Sequence, residues 1–149
     1  MLLKLDFADE TPIYMQIRNQ IVLGIAGGEL KPGEKLPPIR TLAAETGVNT
    51  MTVNKAYQLL KQEGYLITDR RLGAMINPAR VPEQHPSLTE HPELRLLLSE
   101  LYVNGVTKEE LLETCSKLYD ELNKGEKEAN PLPAQAGGHF ASQNKGGLT

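Results

Sequence analysis

Cysteine is almost absent from this chain, which has a single one, Cys115, in 149 residues. That count excludes an internal disulfide framework and a multi-cysteine zinc site, and it fits a reducing compartment. Cys115 itself falls on an apolar helical stripe and reads as a small core hydrophobe rather than a reactive thiol. Long apolar runs are missing too: nothing approaches the roughly 18 consecutive apolar residues of a membrane span. The opening MLLKLDFADE lacks the basic start, apolar centre and small-residue cleavage site of a secretion signal. A cytoplasmic location without membrane attachment is the expectation.

Catalytic patterns are equally scarce. His85, His91 and His139 each stand beside proline or glycine, with no partner one helical turn away, so they read as solvated loop residues and no metal site is expected. Glu109, Glu110 and Glu113 read as a solvated helix face. Neither GxxxxGK[ST] nor GxSxG occurs, and Gly27-Gly28 reads as the end of a helix. The composition therefore argues against an enzyme, and no cofactor is called for.

The net charge of −3 hides an asymmetry. Residues 1–80 carry ten Lys and Arg against eight Asp and Glu, a balance of +2, whereas residues 81–149 carry six against eleven, a balance of −5. The acidic surplus lies wholly in the second part, which leaves the first able to approach a polyanion.

What the first part contains is a pair of short helices across a glycine turn, in LPPIRTLAAETGVNTMTVN from Leu36 to Asn54. Pro38 suits a first helical position, and Ile39, Leu42 and Ala43 form a small apolar stripe. Gly47 ends that helix and Asn49 is a good N-cap for the next, in which Val53, Ala56, Tyr57 and Leu60 recur at i, i+3, i+4 and i+7. The opposite face is polar and carries Thr50, Thr52, Asn54 and Lys55. This is the layout of a helix-turn-helix, whose second helix meets base edges and phosphates with its N-terminal residues.

The flanking segments extend the motif. Thr11-Pro12 opens a helix with Ile13, Ile17, Ile21 and Ile25 every fourth residue and Tyr14 beside them, closing at Gly27-Gly28. Glu34-Lys35-Leu36 is read as a short strand, and Gly64 as a C-cap. Tyr65–Thr68 and Ala74–Ile76 are β-prone runs around Asp69-Arg70-Arg71-Leu72-Gly73, a hairpin with a basic tip. Such a wing lies against the backbone or enters the minor groove.

These residues resemble the GntR family of bacterial transcription regulators. PIYMQI, GELKPGEKLPPIRTLA, GV, TVNKAYQLL and EGYL are similar to that family's N-terminal winged helix-turn-helix element for element, from Thr11 to about Asn77. Many members have serine and arginine where this chain has Asn49 and Thr50, and Gly-Lys-Gly where it has Arg71-Leu72-Gly73. The asparagine, the Ala-Tyr pair and the short remainder of the chain are most similar to the YtrA-type branch. That resemblance implies a DNA-binding regulator, mainly a repressor, that often controls a transporter operon and its own expression. Arg40, Asn49, Thr50, Met51, Thr52, Asn54, Lys55, Arg70 and Arg71 are the expected DNA-binding residues, with a double-stranded operator as partner.

Beyond the first 78 residues the reading is a proline-punctuated linker over 79–92, a helical hairpin over 93–125 and a disordered tail over 126–149. The first helix of the hairpin places Leu94, Leu97, Leu98, Leu101 and Tyr102 on one face. The second starts at a Thr107/Glu110 capping box, carries Leu111, Cys115, Leu118 and Leu122 with Leu112 and Tyr119 alongside, and is read as stopping at Gly125. Two helices of this size cannot shield such faces alone. A homodimer is expected to cover them, with packing on the chain's own first helix as the alternative. The fold class is thus mainly α with a small β-wing: an N-terminal winged helix-turn-helix plus a C-terminal helical hairpin. Two other functional readings stay open, a ligand-sensing regulator with a small-molecule effector in a cleft between domains, and a winged-helix protein-interaction module.

Overall fold

The computed structural model describes residues 2–80 and 87–129. Five α-helices, one 3-10 turn and two strands follow in the order α1 (Ile13–Ala26), α2 (Ile39–Thr46), α3 (Thr50–Gln62), β1 (Leu66–Asp69), β2 (Gly73–Ile76), the turn Leu88–Glu90, α4 (Pro92–Val103) and α5 (Lys108–Ala129). The mainly helical fold with a small antiparallel wing is as expected.

The core belongs entirely to the first part. Every buried apolar residue among those described lies between Ile17 and Ile76. Ile17 and Ile21 of α1 meet Leu42 and Ala43 of α2 and Val53, Ala56, Tyr57 and Leu60 of α3, and Leu66 and Ile76 close the cluster from the wing. Each helix turns its apolar stripe inward, and burial of these stripes supplies the driving force for the three-helix packing. At Gly24 in α1 the lack of a side chain matters, because an added Cβ would stand 3.0 Å from the Leu30 side chain.

Ahead of α1, the chain runs extended along that helix and is clasped by two glutamines. Gln16, buried, donates to Asp6 O (2.8 Å) and Thr11 O (2.9 Å) and accepts from Asp6 N (2.9 Å). One turn on, Gln20 accepts from Lys4 N (2.8 Å) and donates back to Lys4 O. Two residues of extended chain and four of helix both advance by about 6–7 Å, so the two amides act as rungs of a ladder. Leu5, between the rungs, and Leu3, just before them, pack against the core.

Several boundaries differ from expectation. Pro38 is the N-cap of α2, with ψ 149°, rather than its first helical residue; a cap also needs no amide proton, and its carbonyl accepts from Leu42 N (3.0 Å). The strand read at Glu34–Leu36 is reduced to one bridge, Lys35 with Met75. The wing is longer by a residue at its tip, pairing Asp69 with Gly73. Gly125 does not stop α5, which continues to Ala129. A glycine in an exposed helix costs only about 1 kcal/mol relative to alanine, and Glu126, Lys127 and Glu128 are good helix formers. The tail reading for residues 126–129 is therefore corrected; residues 130–149 and 81–86, with His85 and His139, lie outside the described ones.

At the second part, His91 is a cap rather than a free loop residue: its Nδ1 accepts from Leu94 N at the start of α4 (3.4 Å). Thr107 Oγ1 caps α5 through Glu110 N (3.2 Å). The two helices do not close into a hairpin packed along its length. No Cα pair between α4 and α5 comes within 8 Å, while α5 does touch α1. They diverge from a corner at Asn104–Val106, where Leu98, Leu101, Tyr102, Val106 and Leu111 line an apolar concavity of about 510 Å³.

Candidate nucleic-acid interface

The turn between α2 and α3 is built from local chemistry. Gly47 takes φ 70°, a left-handed conformation that favours glycine, and Val48 N then donates to Ala43 O (3.1 Å), which satisfies an end carbonyl of α2. Asn49 Oδ1 accepts from Met51 N (2.8 Å) and caps α3. With the core-facing stripe fixed at Val53, Ala56, Tyr57 and Leu60, the helical period leaves Thr50, Met51, Asn54, Lys55 and Gln58 exposed on the outer face. Met51 is 77% exposed, so its apolar side chain is open to an external contact. Thr52 is half-buried at the edge of this face.

Tyr57 joins the two helices in a way the apolar periodicity does not reveal. Its hydroxyl donates to Pro37 O (2.7 Å), so the start of α2 is tied to the middle of α3. Burial pushes its acidity well out of the physiological range, with the Glu45 carboxylate adding to the effect. The phenol remains a donor throughout. Arg40, the second residue of α2, is exposed just beyond this tie.

The wing tip is ordered by one carboxylate. Asp69 Oδ1 accepts from Arg71 N (2.7 Å) and Leu72 N (3.0 Å). These backbone hydrogen bonds, that of Arg71 first, hold the Asp69 pKa below its usual 3.8. Arg70 and Arg71 project from the tip, both exposed. Among the described residues the ion pairs are Arg18–Glu63 and Lys117–Glu113, so Arg40, Arg70 and Arg71 are left to an external anion.

These elements converge on one side. Ile39 at the start of α2, Gln58 and Lys61 of α3, and Thr68, Gly73 and Ala74 of the wing line a common groove of about 240 Å³. Lys55 is placed differently from the other expected cations: its Nζ lies 4.0 Å from the centre of the Tyr14 ring, at the seam of α1 and α3. Three aromatic–cation contacts, this one and two on Tyr65, are not legible in the sequence, because in each the partners are far apart in the chain. The expected DNA-binding residues therefore fall into three groups: the start of α2, the N-terminal half of α3, and the wing.

The helix-turn-helix of this geometry has clear relatives. Residues 13–76 match the model of bacterial regulatory proteins of the gntR family. The transcriptional repressor YtrA of Bacillus subtilis is 34% identical over 128 residues, 85% of this chain and 98% of the relative. The chain belongs to the GntR family. It is a DNA-binding transcription regulator with a winged helix, and not an enzyme. Among solved structures, a transcriptional antiterminator from Listeria monocytogenes superposes with TM-score 0.64 at 30% identity, covering 82% of this chain and 92% of that one. YtrA from Sulfolobus acidocaldarius, a GntR-family transcription factor, superposes with TM-score 0.53 at 38% identity, covering 69% and 99%. The likeness to both extends beyond residues 13–76, which make up less than half of this GntR-family chain. No helix among the described residues is long and apolar enough to cross a membrane, and no group of three or more His, Cys, Asp or Glu is placed to hold a metal ion.

Proposed function

We propose that this regulator is a homodimeric repressor that binds a two-fold operator in the cytoplasm. The observation that carries the reading is the pairing of a free polar and basic surface on the winged helix with an unshielded leucine surface on α4 and α5. Leu97, Leu98, Leu118 and Leu122 are exposed in the single chain, as is Cys115, which corrects its reading as a core residue because α5 has no buried face among the described residues, and Leu94, Leu101 and Leu111 are only half-buried. An apolar surface of this extent is a protein contact in waiting. The contact of α5 with α1 leaves these leucines uncovered, which favours a second copy over packing within the chain.

In this reading Asn49, Thr50 and Thr52 hold phosphate at the start of α3 through backbone N–H groups and side chains, while Met51 and Asn54 meet bases. Arg40 reaches a phosphate or a guanine edge, Lys55 the flanking backbone, and Arg70 and Arg71 work from the wing. Repression is the sign that the similarity to the Bacillus subtilis repressor supports. Its targets, as the YtrA-type resemblance implies, are a transporter operon and its own gene. The test is a gel shift of the full-length protein on DNA from upstream of its own gene, followed by a reporter on that promoter. Specific retardation and a reporter that rises when the protein is deleted are expected. Retardation no stronger than on unrelated DNA would exclude self-regulation.

A further inference from the structure

After the wing the chain does not leave the DNA-binding unit at once. Asn77 N donates to Tyr65 O (2.9 Å), its Nδ2 donates to Gly64 O (3.0 Å), and its Oδ1 accepts from Ala79 N (3.0 Å). Three residues on, the Arg80 guanidinium lies 4.1 Å from the centre of the Tyr65 ring. The ring also receives Arg18 at 5.8 Å, itself held by Glu63 at 2.9 Å. Residues 77–80 therefore fold back onto the segment that immediately follows α3. Arg80 Nε is shut off from solvent and has no hydrogen-bond partner among the described residues. Burying a donor in this way opposes docking, so the stack on Tyr65 is what retains the side chain.

We propose that Arg80 is a positioning residue that fixes where the connection to α4 and α5 departs from the end of α3, and so sets the half-site spacing the dimer accepts. This rests on the dimeric operator-binding reading above. Asn77 secures its own end of the fold-back by two hydrogen bonds, to Tyr65 O and Gly64 O, and turns the chain through a third from Ala79 N, while the far end at Arg80 is held by the stack. Releasing three residues adds up to about 10 Å to the tether between the DNA-binding unit and the dimer surface. Along DNA that length corresponds to about three base pairs. A dimer with this slack would tolerate half-sites that the clamped dimer rejects, because recognition helices must meet the major groove at matched separation. The contacts to each half-site would be unchanged.

The experiment uses full-length wild type, R80A and R80K on DNA. The wild-type protein first selects its palindrome from random duplexes, and the centre of that palindrome is then lengthened or shortened by one, two and three base pairs. Wild type is expected to lose about tenfold or more in affinity on a two-base-pair change, and R80A about threefold or less, because a looser tether trades spacing selectivity for a lower effective concentration. R80K keeps a cation for the ring and should behave as wild type. A single half-site should bind wild type and R80A alike, and both should sediment as dimers, which a merely destabilised variant would not do. If wild type discriminates between spacings and R80A does so equally, the proposal is overturned while the dimeric reading stands. A wild-type protein that is monomeric, or indifferent to spacing, overturns both.

Discussion

Arg40 and Lys55 are both cations of the helix-turn-helix, yet their neighbours give them different jobs. Arg40 is exposed and has no ion-pair partner among the described residues, whereas Lys55 spends its charge partly on the Tyr14 ring at 4.0 Å. Removing an exposed side chain with no such partner changes stability by no more than about 0.5 kcal/mol. Arg40→Ala should accordingly keep the thermal midpoint of wild type, while weakening operator binding by roughly 1–3 kcal/mol if the side chain reads a base. Fluorescence anisotropy at fixed salt checks this. Equal affinity for the variant and wild type would take Arg40 out of the interface. The two glutamines of α1 show the opposite case, polar side chains with no outward role. Gln16 and Gln20 spend their amides on the backbone of the preceding extended segment, and this is why α1 keeps two polar residues on an inward-leaning edge.

At the level of elements, what the sequence makes legible is whatever is decided within one turn of chain. The glycine at the end of α2, the Asn49 cap and the stripe Val53-Ala56-Tyr57-Leu60 all follow from neighbouring residues, and all appear where the periodicity puts them. Contacts between distant segments were not legible. Tyr57 with Pro37, Lys55 with Tyr14 and Arg80 with Tyr65 join residues whose proximity only the packed helices create. The fold-back through Arg80 is hidden for the same reason, since nothing local shows that the chain doubles back there. The angle between α4 and α5 was also hidden, because leucine spacing specifies a face but not what lies against it. Within the wing, Asp69 offers a pH test. Its pKa is lowered in the folded chain by hydrogen bonds from Arg71 N and Leu72 N, so the unfolded chain binds the proton more readily. The contribution is fully present above the ordinary carboxylate range and is lost as pH falls below 3.8 through the lowered folded value. An NMR titration should show the Arg71 and Leu72 amide signals moving only in that acid window. Movement centred above 3.8 would mean that the carboxylate does not order the tip. At neutral pH, Arg70→Ala with Arg71→Ala should flatten the salt dependence of binding by about one to two counterions and weaken specific and non-specific DNA alike. A loss confined to one operator base pair would show that the wing reads sequence.

For the whole molecule, the location of the core decides what each part can do alone. Every buried apolar residue described falls between Ile17 and Ile76, and the fold-back to Arg80 completes that unit. Ending the chain after Arg80 should therefore leave a folded winged helix, losing, among the described residues, the contact of α5 with α1. What goes with α4 and α5 is the exposed leucine surface, and with it the means of joining two copies. In a two-fold complex the recognition helices sit about 34 Å apart. The second engagement is then effectively intramolecular, and losing it lowers affinity on the order of 10²-fold or more. Sedimentation of full-length and shortened chains at micromolar concentration, paired with titrations on a complete palindrome and on one half-site, separates the contributions. The shortened chain should be a monomer whose affinity for the palindrome approaches its affinity for the half-site. If it still dimerises and binds the palindrome as tightly as the full chain, then Leu94, Leu98, Leu101, Leu111, Leu118 and Leu122 do not join the copies. In that event the open corner between α4 and α5 serves another partner.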